Sequence, residues 1–579
     1  MDRNNTIGLV LISVIFVGWF YWSYSQQEAI VKSKKETIVS DSSSVKKDTA
    51  TAPVTASPVI APVSASDTLF AVGDTAASTV TITTPDYTAI LSGKGAVLTS
   101  FQIDKYLNHG KPVELISEPK TGNLNYQLKL ANGSVVNTRD LTFKLMNDIS
   151  DYVLKGDKDS IQIAFSSNTV NNQVILATYT FHSSGYVIDH KLVLKDFQTV
   201  LTSQQILLEW KNGIAYSEPD KVAEATGAEA FYHAEDNHDY LNATATDVDE
   251  ELIYAKSFNW TSIRTKYFAV ALENVDKKAN SAKIYGRTYN DADEKPTEIY
   301  NMIQYIPYNA ESYWEKSTRI TLTPLDYYYL KGLDNELQSM MSLGIPWVVK
   351  PISEYFVLPL FIFLKNYLPS WGLVIIIFTL IIKLLLYPLT QSQTQGMKKM
   401  ATVAPLMKEM QEKYKDDKEK LQQEMLKLYR EHGYNPLAGC LPMLLQMPIL
   451  FALYTVFANA IEFRQSAFLW IDDLSLPDML FHLPFTIPFY GSHFSLFAFL
   501  VAGSQIIQMK MQPQTDKTQA AIMMWVFPVM MLMIFNNLSA GLNMYYFLFN
   551  VLTLAQQWFY NQKESSLLSN SVTVTTGKK

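Results

Sequence analysis

From Trp371 to Leu389 the chain is apolar, and within this stretch stands one charge, Lys383. About 20 predominantly apolar residues cover the ~30 Å of a bilayer's hydrocarbon, so this run commits the chain to a membrane. A lysine at membrane depth costs roughly 2.5–3.5 kcal/mol on insertion scales and normally faces a wet cavity or a partner. Lys383 is therefore a candidate functional residue. The competing reading notes that it lies one and a half turns before the end of its run, roughly 8–9 Å, so that its stem could snorkel to the headgroups. From this residue alone the two readings stay level.

Mean hydropathy is near zero, but it averages two unlike regions: a polar stretch over 25–340 and a Met- and aromatic-rich stretch over 371–560. The polar stretch, about 315 residues, is long enough to build its own core. A net charge of -7 argues against nucleic acid as a direct ligand, because phosphate binding needs a basic face. Cys440 is the only cysteine, which excludes an intrachain disulfide and a thiolate metal cluster. No Gly-rich phosphate loop, nucleophile elbow or paired-carboxylate motif is present, and neither an enzyme nor a cofactor is expected. His233 and His238 flank acidic residues, but an exposed polar loop accounts for them better than a metal site.

The layout follows from texture. Residues 1–24 form an uncleaved transmembrane anchor, apolar from Ile7 and closed by the interfacial aromatics Trp19, Phe20, Tyr21, Trp22 and Tyr24. Residues 25–78 are a flexible linker, dominated from 37 onward by Ser, Thr, Ala, Val and Pro, which bury too little to offset their ordering entropy. Period-two alternation from 79 to 340 predicts an all-β sandwich. Its clearest hairpin has Val174–Phe181 and Tyr186–Lys195 flanking Ser183-Ser184-Gly185, with His190 the polar member of an otherwise apolar face. Residues 345–368, interrupted by Pro346, Lys350, Pro351, Glu354, Pro359 and Lys365, read as an interfacial amphipathic helix. Spans are then expected at 371–389, 440–460, 494–511, 521–538 and 541–560.

Lys/Arg counts in short loops orient these spans. Segment 391–433 carries nine basic residues, among them Lys408, Lys413, Lys415 and Lys420, while loop 461–493 carries only Arg464. The first is therefore cytoplasmic, and it reads as a helical hairpin of Met400–Tyr414 and Asp417–Arg430. Six spans put both termini, including tail 561–579, on that side and export the β domain. Lys32, Lys34 and Lys35 after the first span argue the other way, and the larger bias of the later loops outweighs them.

Several motifs now combine. The run Asn435-Pro436-Leu437-Ala438-Gly439-Cys440-Leu441-Pro442 continues to Gln446-Met447-Pro448. With it stand Trp371-Gly372, Tyr387-Pro388-Leu389-Thr390, Gln423-Glu424-Met425 and Glu462-Phe463-Arg464-Gln465. Trp470-Ile471, Asp473-Leu474, Ser539-Ala540-Gly541-Leu542, Tyr545-Tyr546 and Gln556-Gln557 complete the set. Over 370–560 this sequence resembles the YidC-type (YidC/Oxa/Alb) membrane protein insertases, in their long form with a large periplasmic domain. The resemblance implies a multi-span α-helical membrane protein: six transmembrane helices, a five-helix insertase core with a hydrophilic groove, and an exported all-β sandwich. It implies a bacterial inner-membrane chaperone and insertase whose partners are nascent membrane proteins, the Sec translocon and its accessory subunits, the ribosome and the lipid bilayer.

The same resemblance places Lys383 where the best-known members carry a groove arginine, and it matches Thr379 and Tyr546 to groove positions; Gln446, an amide at span depth, is a further groove candidate, against the reading that such amides hydrogen-bond between helices. Lysine lacks the planar fork that arginine offers to carboxylates, so attraction for acidic segments is expected to survive while bidentate geometry is not. The basic hairpin residues Lys408, Lys413, Lys415 and Lys420 are expected to capture clients. A solute transporter using Lys383 as counter-ion is the alternative, and it would call for repeated halves with matching broken helices, which the sequence lacks. A separate ligand-binding or enzymatic role for the β domain stays open on fold grounds.

Overall fold

The computed structural model describes residues 78–576, apart from 157–158, 219–220, 236, 246–247, 277, 290–296, 416, 433–435, 489 and 512–516. The expected anchor 1–24 and nearly all of linker 25–78 lie outside the described residues.

Among the described residues the polar region is built from three sheets of nine, six and five strands. In the nine-stranded sheet, Val174–His182 pairs antiparallel with Val187–Lys195 in the register Phe181 to Ile188. Gly185, at φ +78, makes the turn, a backbone region open to glycine at little cost. Period-two alternation turns Ile188, His190, Leu192 and Leu194 into the core. His190 lies against Tyr179, ring centroids 4.4 Å apart, and burial pushes its imidazole down to about 3. The ring is thus a neutral core group, of the kind that must acquire charge only on acid unfolding.

Strand Tyr313–Pro324 occupies the centre of the sheet, between Val187–Lys195 and Phe268–Asn274. Its interior position follows from its composition: Trp314, Ile320 and Leu322 are fully buried. The six-stranded sheet adds Trp210, Ile284 and Met302 to the same core, and the five-stranded sheet adds Val80 and Phe101.

The His233/His238 segment is not an exposed loop. Glu229–Ala234 and Asn237–Leu241 are paired strands in which His233 faces His238. His233 is buried, stacks on Trp260 at 5.0 Å and lies 2.9 Å from Glu336 Oε2 through Nε2. Glu336 partners Nε2 while Nδ1 has no partner among the described residues, and among the described residues no group of metal ligands forms. Glu229–Ala234 is buried along nearly its whole length and not on one face only, so period-two alternation is absent there.

A helical layer follows. Val349–Ile352, a π-turn over Ser353–Val357 and α1 (Leu358–Lys365) make one bent helical segment. It buries Val357, Phe361 and Leu364 while exposing Tyr355 and Phe363, and the flanking Trp347 and Tyr367 are exposed too. Next come α2 (Trp371–Leu385), α3 (Tyr387–Lys413), α4 (Lys418–Glu431) and α5 (Pro436–Asn459). Then follow α6 (Leu496–Lys510), α7 (Lys517–Phe535) and α8 (Ala540–Thr576). Ser370 caps α2 by accepting from the Leu373 amide, the usual satisfaction of a free N-terminal donor.

Three boundaries differ from expectation. The stretch 371–389 is not one helix: α2 ends at Leu385, and α3 restarts at Tyr387 with Pro388 in its first turn, where a missing N–H is tolerated. The first arm of the basic hairpin therefore begins at residue 387, not 400. The last helix runs to Thr576, well beyond 560. Among the described residues no single helix is long and apolar enough to cross a membrane, and α2 has 15 residues.

Candidate functional site

One face of α8 carries Asn543, Tyr546, Asn550, Thr553 and Gln557 at steps of three, four, three and four. That spacing keeps all five on a single stripe about 21 Å long. α8 lies between α2 and α6, and the stripe meets polar groups from both. Asn550 Nδ2 donates to Ser504 Oγ at 2.9 Å, and Gln505 Nε2 donates to Tyr546 Oη at 3.5 Å. At the α2 contact, Lys383 Nζ donates to Thr553 Oγ1 at 2.8 Å and sits 4.6 Å from the Phe549 ring centre. Toward the helix start, Asn543 Nδ2 donates to the Phe535 carbonyl at 2.9 Å and so ties α8 to the end of α7.

Lys383 is 7 % exposed. Its stem therefore does not reach out along the surface as a snorkelling side chain would. An ammonium has three donors; here one meets a hydroxyl and the charge meets an aromatic face, and among the described residues no carboxylate pairs with it. Gln557, also buried, leaves Oε1 without a partner among the described residues. A buried cation and an unfilled amide on one stripe are what a polar segment passing between α2, α8 and α6 would need for replacement hydrogen bonds.

The other expected site residues fall differently. Thr379 is buried, and its hydroxyl donates to the Ile375 carbonyl of its own helix at 2.6 Å, the back-bonding common for threonine in helices. Tyr546 lies on the stripe, half-buried against Phe535. Gln446 is half-buried on α5, and among the described residues no hydrogen bond joins it to the Lys383 group. Lys408, Lys413, Lys415 and Lys420 are exposed on α3, α4 and their turn, whose helices close on Val403, Met407 and Leu428. Thr553 and Ser504 escaped the sequence reading; the heptad-like spacing on α8 was the signal that could have found Thr553.

Two family models divide the chain between them: "60Kd inner membrane protein" matches residues 363–566 and "YidC periplasmic domain" matches 79–355. The membrane protein insertase YidC of Chlorobaculum tepidum is 35% identical, covering 97% of this chain and 95% of that protein. The chain belongs to the YidC family of membrane protein insertases. The YidC insertase of Chlorobaculum parvum is 36% identical over 97% of this chain and 94% of its own length. A crystal structure of an active YidC insertase with its first transmembrane domain resolved aligns at a TM-score of 0.34 and 19% identity, covering 82% of this chain and 91% of that one. As a YidC family member the chain is an inner-membrane protein with a β-rich periplasmic domain.

In this YidC chain the periplasmic domain is joined to the helical layer by a polar lock that sequence reasoning missed. Arg464, read only as a lone basic residue of loop 461–493, is buried, and its Nε donates to Glu218 Oε1 at 2.6 Å. One terminal nitrogen donates to the Leu107 carbonyl at 2.8 Å, and the guanidinium lies 5.9 Å from the Phe268 ring centre. Beside it, burial and the neighbouring Asp326 push the Glu462 carboxyl up to about 7. Apolar packing continues the contact: Phe231 and Trp260 of the sheet share one core with Phe361, Phe378 and Phe457 of the helices.

Proposed function

We propose that this protein inserts nascent membrane proteins into the bacterial inner membrane and assists their folding, alone or with the Sec translocon, through a hydrophilic groove lined by the α8 stripe. The observation that carries this reading is Lys383, a buried cation without a carboxylate partner among the described residues, bonded to Thr553 on that stripe. Such a group lowers the desolvation barrier for the polar flank of a client, while the apolar part of the client moves along the helix faces into lipid. Family membership supports it.

The arrangement of the proposal is six spans, five of them forming the core, with both termini and the basic hairpin cytoplasmic and the β domain periplasmic. It rests on the Lys/Arg asymmetry between 391–433 and 461–493. Helices shorter than the hydrocarbon thickness are accommodated by local bilayer thinning and by flanking residues. Thr379, Tyr546 and Gln446 are proposed to line the groove with Lys383; ribosome, translocon and accessory subunits are proposed partners. The test is reconstitution: vesicles holding only this purified chain should protect the exported tail of a single-span client from protease, and vesicles without it should not. Equal protection in both would remove the insertase reading.

Capture of clients is assigned to the hairpin lysines. They are exposed, and surface charges alter association far more than stability. Neutralising Lys408, Lys413, Lys415 and Lys420 together should cut crosslinking to translating ribosomes or client segments by roughly tenfold at low salt, with little change in thermal stability. Crosslinking that is unchanged at low salt would rule out electrostatic capture.

A further inference from the structure

The stretch between α5 and α6 holds a second feature, a β-hairpin made of Met479–Ile487 and Gly491–Ser495 that runs directly into α6. Met479, Leu480, Phe481 and Phe485 are 43, 53, 49 and 60 % exposed. Neighbouring residues of a strand point to opposite faces, so Leu480 and Phe481 make both faces apolar and uncovered. A hairpin standing in water keeps polar side chains on its outer face, and an uncovered apolar one is an aggregation site. From Met479 to Met509 there is no Asp, Glu, Lys or Arg.

The base of this hairpin is held firmly. Asp478 accepts from the Ser495 hydroxyl and, at 2.9 Å, from the Phe497 amide. Asn536, between α7 and α8, donates to the carbonyls of Tyr490 and His493 at 2.8 and 2.9 Å. Its side-chain oxygen accepts from the Ser495 amide at 3.0 Å. The hairpin therefore projects from the ends of three helices at a set angle.

An aromatic ladder connects it to the helix surface. Phe481 stacks on Phe494 with centroids 5.0 Å apart, and Phe494 meets Phe499 at 5.9 Å. Phe499 and Ile507 are exposed on α6, so the apolar surface continues without interruption from the hairpin onto the outward face of a helix of an inner-membrane protein. In a chain resident in a membrane, such an exposed apolar face suits contact with lipid. The open backbone edges of a two-stranded sheet cannot be satisfied in hydrocarbon, whereas aromatic-rich segments suit the headgroup boundary.

We propose that the hairpin is a lipid-inserting wedge, seated in the headgroup and upper acyl region of the leaflet on the β-domain side, with Leu480, Phe481 and Phe485 as its lipid contacts. This goes beyond client insertion and rests only on the chain's residence in a membrane. The test uses the full-length protein with Cys440→Ala, carrying a spin label at Leu480→Cys, Phe481→Cys or Phe485→Cys. Each variant is reconstituted in vesicles of phosphatidylethanolamine and phosphatidylglycerol. A label at Val170→Cys, an exposed position of the β domain, reports the aqueous limit. Oxygen collisions at 480, 481 and 485 should exceed those of a water-soluble nickel chelate several-fold, and the ratio should invert at 170. Nickel access at 480, 481 and 485 equal to that at 170 would overturn the proposal. Shielding of these positions from both quenchers would overturn it as well, because protein would then cover the hairpin.

Discussion

Lys383→Glu should abolish insertion of clients with acidic exported tails, Lys383→Ala should impair it, and Lys383→Arg should retain it. The alanine variant strands no hydroxyl: when Lys383 is shortened, Thr553 Oγ1 keeps its own bond to the Phe549 carbonyl at 2.7 Å. The order follows from charge. At ~10 Å and an effective dielectric near ~20, one charge pair is worth about 1.7 kcal/mol, so reversal moves an acidic tail by about twice that, a hundredfold or more in rate. Arginine keeps the sign and merely adds donors. Protease protection of tails differing only in charge, at matched protein levels, measures the effect. If the glutamate variant inserts acidic tails as fast as the parent, the groove charge plays no part and the mechanism fails.

Arg464→Ala should be the most destabilising single change between the two halves of the protein. The guanidinium and Glu218 are both buried, with side chains 1% and 6% exposed, and removing one partner leaves an uncompensated charge, typically at a cost of about 3–5 kcal/mol. Glu218→Ala should act similarly. The pair Arg464→Met with Glu218→Leu should recover much of the loss, since apolar replacement of both partners is often neutral. Large multi-part chains depart from two-state unfolding, so the readout is the melting temperature together with protease cutting at the junction. A single variant that melts with the parent and resists protease equally would show that the apolar contact through Phe231 and Trp260 holds the halves together unaided.

The difference between these two residues shows what sequence can reveal. Lys383 is legible because a charge in an apolar run violates a local pattern, yet its partner Thr553 lies 170 positions away. Arg464 sits in a loop where a basic residue breaks no pattern, so its pairing with Glu218, 246 positions distant, leaves no local trace. Period-two alternation disclosed the Val174–His182 and Val187–Lys195 hairpin because one face is buried. It failed at His233, which stacks on Trp260 in a strand buried along nearly its whole length. Thr379 shares a helical face with Lys383, but spacing alone cannot tell that its hydroxyl is already bonded to Ile375.

The central place of strand Tyr313–Pro324 also sets a timetable for biogenesis. It is the last strand of the β domain to be synthesised, yet it fills the gap between Val187–Lys195 and Phe268–Asn274, and without it the nine-stranded sheet is two separate pieces. Pairing that waits on distant sequence is slow and leaves strand edges open in the meantime. The domain can therefore close only after the chain as far as Pro324 has emerged, so its export must proceed with the sheet unassembled, and its final folding coincides with arrival of the first helices that follow it.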